Sequence, residues 1–492
     1  MFTSTLKRDL YRTSWGVAKL SQHPHSSRCL HWATKCRQAV ASTVAATHDA
    51  KSPHKPGPSL GILPLSTIVR SLSVTTVTSV PALLTPALAS LSFVAESKAK
   101  VLDPDYNSIL KAALRQTIYS QFCAGETPHE VETTISDLKG LGYAGVILGY
   151  GREVVMDEDE ARALESREAH EVKRIDTARQ AREVLEWKEG TMQTLALAQE
   201  GDFVALKFTG AGREALSHLI HGLPPSAELA QAITDICDRA RDRGVQLLFD
   251  AEQHAVQSTI DAWVLGLQRK YNRTFSLQDK PRALVYGTYQ AYLRSTPDTL
   301  ASHLAAASEE GFVLGVKLVR GAYLGSDPRH LFWENKDGTD QSYDAIARAL
   351  ITRQYGPGLR PSDPQSQEFP QADLVLATHN RKSIEKARAL RNDQVRHKRP
   401  MIEMVYGQLQ GMADDISCQL VHESATTRYE GNALEEIPKP YKYLVWGTVG
   451  ECTKYLLRRG RENRDAASRT RDTRNAMFAE VKRRSCLGFS FK

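Results

Sequence analysis

The sequence predicts an α/β fold in which eight parallel strands close into a barrel with helices outside. Three observations carry this prediction. Eight short apolar runs follow one another between residues 145 and 445. Amphipathic helical stretches separate them, as crossovers between parallel strands require. Lys207, Asp250, Lys317 and His379 each fall at or just past the C-terminal end of a run. In a (βα)8, TIM-like barrel those ends converge on one mouth. A doubly wound open sheet is the alternative.

In order, the runs are Gly145–Leu148, Phe203–Phe208, Val245–Asp250, Ala283–Thr288, Phe312–Val319, Asp373–Ala377, Met401–Tyr406 and Tyr441–Val445. Each is short and buried-looking and not alternating, the pattern of strands covered by helices. Residues 227–244 and 381–392 read as helices, the first stopping on Arg-Gly just before a strand. Residues 154–200 interrupt the alternation, with eleven acids and seven bases between 157 and 189. They read as a solvated helical insertion after the first strand, scaffold and not site.

The flanks differ from the barrel. Residues 1–55 hold nine basic and two acidic residues and carry the whole net charge of +7. The stretch is rich in Ser and Thr, and its first turns place Phe2, Leu6 and Leu10 opposite Lys7, Arg8 and Arg12. That is the composition of a mitochondrial transit peptide. Residues 56–140 read as an N-terminal helical region. Within it, 71–95 carries no charge but contains Pro81 and Pro86. Three readings stay open for this stretch: a helix pair packed on the body, a segment lying on a membrane surface, or a span. Residues 141–465 form the barrel, and 466–492 a basic, mobile tail.

Composition excludes whole classes. The chain is 41% hydrophobic and 25% charged, which rules out a disordered, collagenous or coiled-coil chain. Beyond residue 55 the charge is balanced, so nothing in the body asks for nucleic acid. Seven cysteines without a CxxC argue against a disulfide scaffold or zinc ribbon and for a reducing compartment. No GxGxxG follows the first strand, and no P-loop, HExxH or GxSxG is present. No metal ligand set is expected.

Several segments carry chemistry. After the eighth run, Tyr455, Arg458, Arg459 and Glu462 fall on one helical face. Two adjacent guanidinium groups can clamp a carboxylate. Lys317 stands inside FVLGVKLV, where a lysine is costly without a partner. LFDAE at 248–252, ATHN at 377–380 and QLQGM at 408–412 complete the set.

Together VKLVRGAYL, LFDAE, ATHN, the LxGM run and YxxxGxxxxYLxRRxxEN resemble the proline dehydrogenase family, in the family's order, over residues 200–465. The resemblance implies a flavin-dependent barrel without a Rossmann module, of the eukaryotic mitochondrial single-function type. It implies that Arg458 and Arg459 hold the substrate carboxylate, helped by Lys207, with Asp250 beneath and Tyr323, Leu409 and Tyr443 around the ring. It assigns Gln290, Lys317, Val319, Gly321, Ala322, Thr378, His379, Asn380 and Glu462 to the FAD side. Two positions depart from the family pattern: Lys317 stands where arginine is frequent, and Leu324 where bacterial members carry a bulky aromatic.

The implied reaction is oxidation of L-proline to Δ1-pyrroline-5-carboxylate, the first step of proline catabolism. Electrons pass to ubiquinone, at the mitochondrial inner membrane surface or from the matrix. A hydroxyproline dehydrogenase of the same family is one rival, disfavoured by Tyr443 where a 4-hydroxyl needs room. A flavin-free lyase using Lys207 or Lys317 as a Schiff base is the other.

Overall fold

The computed structural model describes residues 59–97, 99–151, 177–273, 282–364, 368–465 and 467–489. The transit-like residues 1–55 lie outside them. Eight strands are present: β1 (Gly145–Tyr150), β2 (Phe203–Leu206), β3 (Gln246–Phe249), β4 (Val285–Gln290), β5 (Leu314–Val319), β6 (Ala372–Ala377), β7 (Met404–Leu409) and β8 (Pro440–Trp446). Each pairs in parallel with the next, and β8 closes on β1. The open-sheet alternative is excluded.

Each expected run holds a strand, though the strand ends move by one to three residues, and two of these shifts have a visible cause. β2 stops at Leu206 because Phe208 turns into a 3-10 helix and stacks on Phe249, ring centroids 4.7 Å apart. β7 starts three residues late because its neighbour β6 first meets it at Leu374 opposite Met404.

Eight helices bear on the barrel argument. They are α3 (Pro128–Gly140), α4 (Thr177–Leu197), α5 (Ala227–Asp242), α6 (His254–Tyr271), α7 (Thr296–Glu310), α8 (Lys336–Thr352), α9 (Arg381–Arg396) and α10 (Asp414–Glu430). Local chemistry sets their ends. Thr127 caps α3 by accepting from the Glu130 amide, with Pro128 at the first helical position. Ser226 caps α5 and Asn380 caps α9.

The charge-rich segment needs correcting where it is described. α4 buries Val184, Trp187 and Leu195 and packs on β1 and β2. It is the barrel's own first crossover and not an addition to it. Charge density hid an apolar stripe at helical spacing. Residues 152–176 of that segment lie outside the described residues.

Inside the barrel, Ile147, Phe203, Leu248, Val375 and Val405 form a core layer. Phe203 meets Tyr286 and Tyr441 edge-on at 5.2 and 5.6 Å and plugs the lower end. A packed floor leaves the C-terminal mouth as the place for chemistry.

Helices from both termini flank one side. α1 (Leu65–Ser79) and α2 (Pro81–Glu96) meet at a 98° bend. No single helix among the described residues is long and apolar enough to cross a membrane, though this bent pair passes by length and composition. After β8 come α11 (Val449–Asp465) and α12 (Ala467–Phe489). The expected mobile tail is thus a helix over most of its length, packed along α1. Met477 is fully buried with Leu60, Leu63 and Ile68. Arg484 donates to the Leu63 carbonyl at 2.8 Å and pairs with buried Glu480. The basic residues that suggested a solvated tail therefore help anchor it.

Candidate active site

Strand parity puts the charged residues in the mouth. Residues opposite each other in a sheet share a face. Lys317 pairs with Val375, a core-layer residue, and with Thr288. Tyr443 pairs with Ile147 and with Leu409. Gln290 pairs with Val319. All these side chains therefore face the barrel interior, near its upper rim.

At the centre, Lys317 Nζ donates to Asp250 Oδ1 at 2.5 Å and Tyr443 OH donates to Oδ2 at 2.8 Å. The ammonium also lies 5.0 Å above the Tyr443 ring. The partner a buried lysine demands is thus Asp250, from the strand end two positions round. Burial pushes the Asp250 carboxyl up. Lys317, Lys207 and the two hydrogen bonds outweigh it and hold the carboxyl below its ordinary value. Burial and the facing carboxylate push the Tyr443 phenol well above its ordinary value, so it stays a donor.

Loops around this group bring in the remaining candidates. Tyr323 OH reaches the Ala251 carbonyl at 3.4 Å, beside Asp250. Gln290 Nε2 lies 3.5 Å from the Glu252 carbonyl. His379 Nε2 accepts from the Leu409 amide at 3.1 Å, which puts the ring proton on Nδ1. Thr378 accepts from the Asn380 amide at 3.1 Å. Gly321 has φ 140°, and a Cβ there would strike the Tyr292 ring. Only glycine takes that turn, and it leaves bare backbone at the rim before exposed Ala322.

The arginine helix begins in a built cap. Thr448 accepts from the Glu451 amide at 3.1 Å, and Glu451 accepts from the Thr448 amide at 2.9 Å. This reciprocal capping box sets where α11 starts, and so where Arg458 and Arg459 fall. Both guanidinium groups flank the buried Tyr455 ring, at 5.9 and 5.1 Å. Arg458 also acts electrostatically on Tyr443. Glu462 lies one turn further along α11.

Some residues escaped sequence reasoning. Glu252 is buried and accepts from the Thr209 amide at 3.1 Å and from its hydroxyl, tying the ends of β2 and β3 together. Arg320 donates to Asp340, Thr378 and Ser383 at 2.7, 2.6 and 2.9 Å and stacks on Tyr343. It clamps the Thr378–Asn380 turn to the end of β5. Both stood inside the quoted motifs, LFDAE and VKLVRGAYL. Among the described residues no cluster of His, Cys, Asp or Glu is placed to hold a metal.

Residues 131–472 match the family described as proline dehydrogenase. A relative described as "Probable proline dehydrogenase, mitochondrial" from Schizosaccharomyces pombe is 28% identical over 409 residues, 75% of this chain and 80% of its own. A hydroxyproline dehydrogenase from Rattus norvegicus is also 28% identical, over 76% of this chain and 83% of its own. The solved proline utilization A (PutA) from Bdellovibrio bacteriovorus superposes with a TM-score of 0.53 at 15% identity, over 87% of this chain and 41% of that one. That likeness speaks to the barrel alone, and the chain spans less than half of that protein's length. The family match runs from within α3 to the start of α12 and so takes in every strand and the arginine helix: the chain belongs to the proline dehydrogenase family.

Proposed function

We propose that this enzyme oxidises L-proline to Δ1-pyrroline-5-carboxylate with FAD, in the mitochondrion, and delivers the electrons to membrane ubiquinone. The observation that carries the reading is the Lys317–Asp250–Tyr443 group in the barrel mouth, with Arg458 of the arginine helix acting electrostatically on Tyr443. It sets a buried cation, a carboxylate and a phenol together in the barrel mouth, chemistry that supports an anion-binding, ring-holding site.

The donor set fits a flavin. An amide (Gln290), an ammonium (Lys317), a hydroxyl (Thr378), an imidazole (His379) and the bare backbone of Gly321 rim the mouth from β4 to β6. Polar groups of both signs suit a ring edge of alternating donors and acceptors. When bound, FAD supplies the hydride acceptor. Lys317 supplies positive charge where negative charge develops. Glu462 is the further FAD-side candidate.

Arg458 and Arg459, with Lys207, bind the substrate carboxylate by charge-assisted hydrogen bonds. Tyr323, Leu409 and Tyr443 fix the ring, so that binding energy becomes orientation. Asp250, kept ionised, locks both Lys317 and Tyr443 in place. Arg320 and His379 hold the β6 turn against the neighbouring strand ends.

The Rattus relative gives a second reading, oxidation of hydroxyproline. Tyr443 argues against it: the family resemblance puts this residue where a 4-hydroxyl would need room, and its hydroxyl is held on Asp250. The test is dye-linked turnover with L-proline and trans-4-hydroxyproline and trapping of the ring imine product. Higher kcat/KM on proline, with imine formed, supports the reading. Preference for hydroxyproline, or turnover without imine, overturns it.

A further inference from the structure

The helix that carries the arginine pair is capped twice. Of the four amides from Thr448 to Glu451, its own capping box takes two, those of Thr448 and Glu451. The other two go to carboxylates that stand 323 and 345 residues earlier in the chain. Glu126 accepts from the Val449 amide at 3.2 Å. Asp105 accepts from the Gly450 amide at 3.2 Å and from the Thr448 hydroxyl at 2.7 Å. By contrast, α3, α5, α8 and α9 are each capped by the residue just before them. The open amides and the dipole of a helix start both favour carboxylates there. A cap brought from a remote segment also fixes the helix against that segment.

The remote segment is itself held in place. The Glu126 carboxylate is buried and pairs with Lys111 at 2.8 Å and Arg115 at 3.0 Å. Gly450 has no room for a side chain, since a Cβ would strike the Asp105 carboxylate. Both backbone groups of Gly447, in the turn between β8 and α11, are also taken. Its amide donates to the Gly125 carbonyl at 3.2 Å, and its carbonyl accepts from the buried Tyr119 hydroxyl at 2.6 Å. The same segment reaches the turn after Leu409, where Gln121 donates to the Gly411 carbonyl at 3.0 Å. Tyr119 and Phe122 share a core cluster with Val449, Cys452 and Tyr455 of the arginine helix. Further along, α2 packs on α11, and a Cβ at Gly460 would lie 2.5 Å from Leu88. The arginine helix is therefore gripped at its first turn and again beside Arg459.

We infer that residues 105–126 form a strap that aims the substrate clamp, with Asp105, Tyr119 and Glu126 as positioning residues for the arginine pair. Their action runs through α11. An α-helix rises about 1.5 Å per residue, so Arg458 stands about 14 Å along from Val449, and a tilt at the first turn is magnified at the guanidinium groups. A displacement of about 1 Å is enough to cost a binding group much of its orienting effect. The inference rests on the reading above, in which Arg458 and Arg459 hold the substrate carboxylate. It adds that affinity for the substrate depends on a segment outside the barrel.

The test is steady-state kinetics of the full-length, flavin-loaded enzyme with L-proline, read beside flavin content and chemical denaturation. Asp105→Ala should raise KM about 3- to 10-fold, the loss of one net hydrogen bond, with kcat within about twofold of wild type. Asp105→Asn keeps an acceptor and should restore most of that loss. Glu126→Gln should raise KM in the same direction. Asp105 is exposed, so its variants test the strap even if the buried Glu126 variant unfolds. A strap that acts through the arginine pair is not additive with it. On the background of Arg458→Met with Arg459→Met, Asp105→Ala should change kcat/KM by less than about twofold. Full additivity, or wild-type KM in Asp105→Ala while the arginine variants raise it, would overturn the strap alone. A loss of stability or kcat at unchanged KM would do the same, leaving a cap that only holds the fold. Wild-type KM in the arginine variants would overturn the substrate reading itself, and the strap with it.

Discussion

Two lysines are buried within barrel strands, and their surroundings give them opposite uses. Lys442 on β8 points outward, opposite Gln408 and Val146. It donates to Asp414 at 2.6 Å, to the Met412 carbonyl at 3.2 Å and to the Leu409 carbonyl at 3.5 Å. All three ammonium hydrogens have acceptors, so the group is a closed staple joining β8 to the end of β7, the loop after it and the first residue of α10. Lys317 points inward and has one hydrogen-bond acceptor among the described residues, Asp250, plus the face of Tyr443. It keeps donor capacity toward the mouth. Burial alone does not mark a functional lysine; what distinguishes the two is how completely the local partners use the charge.

Removing each charge should separate the two uses. Lys442→Met leaves Asp414 buried without its cation and should cost about 3–5 kcal/mol of stability. Chemical denaturation measures this, and kcat/KM per folded molecule should hardly move. Loss of activity without loss of stability would place Lys442 in the site after all.

The arginine pair should show the reverse pattern. Arg458→Met or Arg459→Met removes a charge-assisted contact of about 1.5–3 kcal/mol, so KM for proline should rise about 10- to 150-fold. Steady-state kinetics and flavin content decide this together, since flavin should stay near normal. Wild-type KM in both variants would sever the pair from the substrate.

Tyr443→Ser should then lower proline turnover and raise the relative kcat/KM for trans-4-hydroxyproline, by about 1–3 kcal/mol of discrimination. An unchanged ratio would mean that Tyr443 does not bound the ring.

The smallest expected effect is a pH shift. Lys317 is the strongest influence opposing burial at Asp250, whose carboxyl it helps hold below its ordinary value. A carboxyl depressed on folding contributes stability above its unfolded pKa, and that contribution is lost as pH falls through the folded value. Lys317→Met should therefore move the acid limb of stability and of kcat to higher pH. Acid limbs that coincide for variant and wild type would show that Asp250 is held ionised by something else.

Much of this was legible in the sequence. Short apolar runs revealed eight strands, and a lysine inside FVLGVKLV demanded a partner, which proved to be Asp250. Parity counted from Tyr443 also sends Lys442 to the other face, but its acceptor Asp414 lies on a separate element that no local pattern points to. TVGE at 448–451 spelled the capping box that sets the arginine helix. Arg320 was readable as a charge and not as a clamp, because Asp340, Thr378 and Ser383 come from distant segments. The packing of α12 was hidden for a similar reason. Its composition is that of a solvated tail, and only tertiary contact shows Glu480 and Met477 turned inward.

The central claim is that one mouth holds the substrate, the cofactor and the Lys317–Asp250–Tyr443 group. Anaerobic titration of the purified protein with L-proline, followed in the visible spectrum, tests it most directly. The account predicts a yellow protein whose flavin band bleaches with proline, at far higher proline concentration for Arg458→Met and at wild-type concentration for Lys442→Met. A colourless protein, or a yellow one that proline does not bleach, would contradict it.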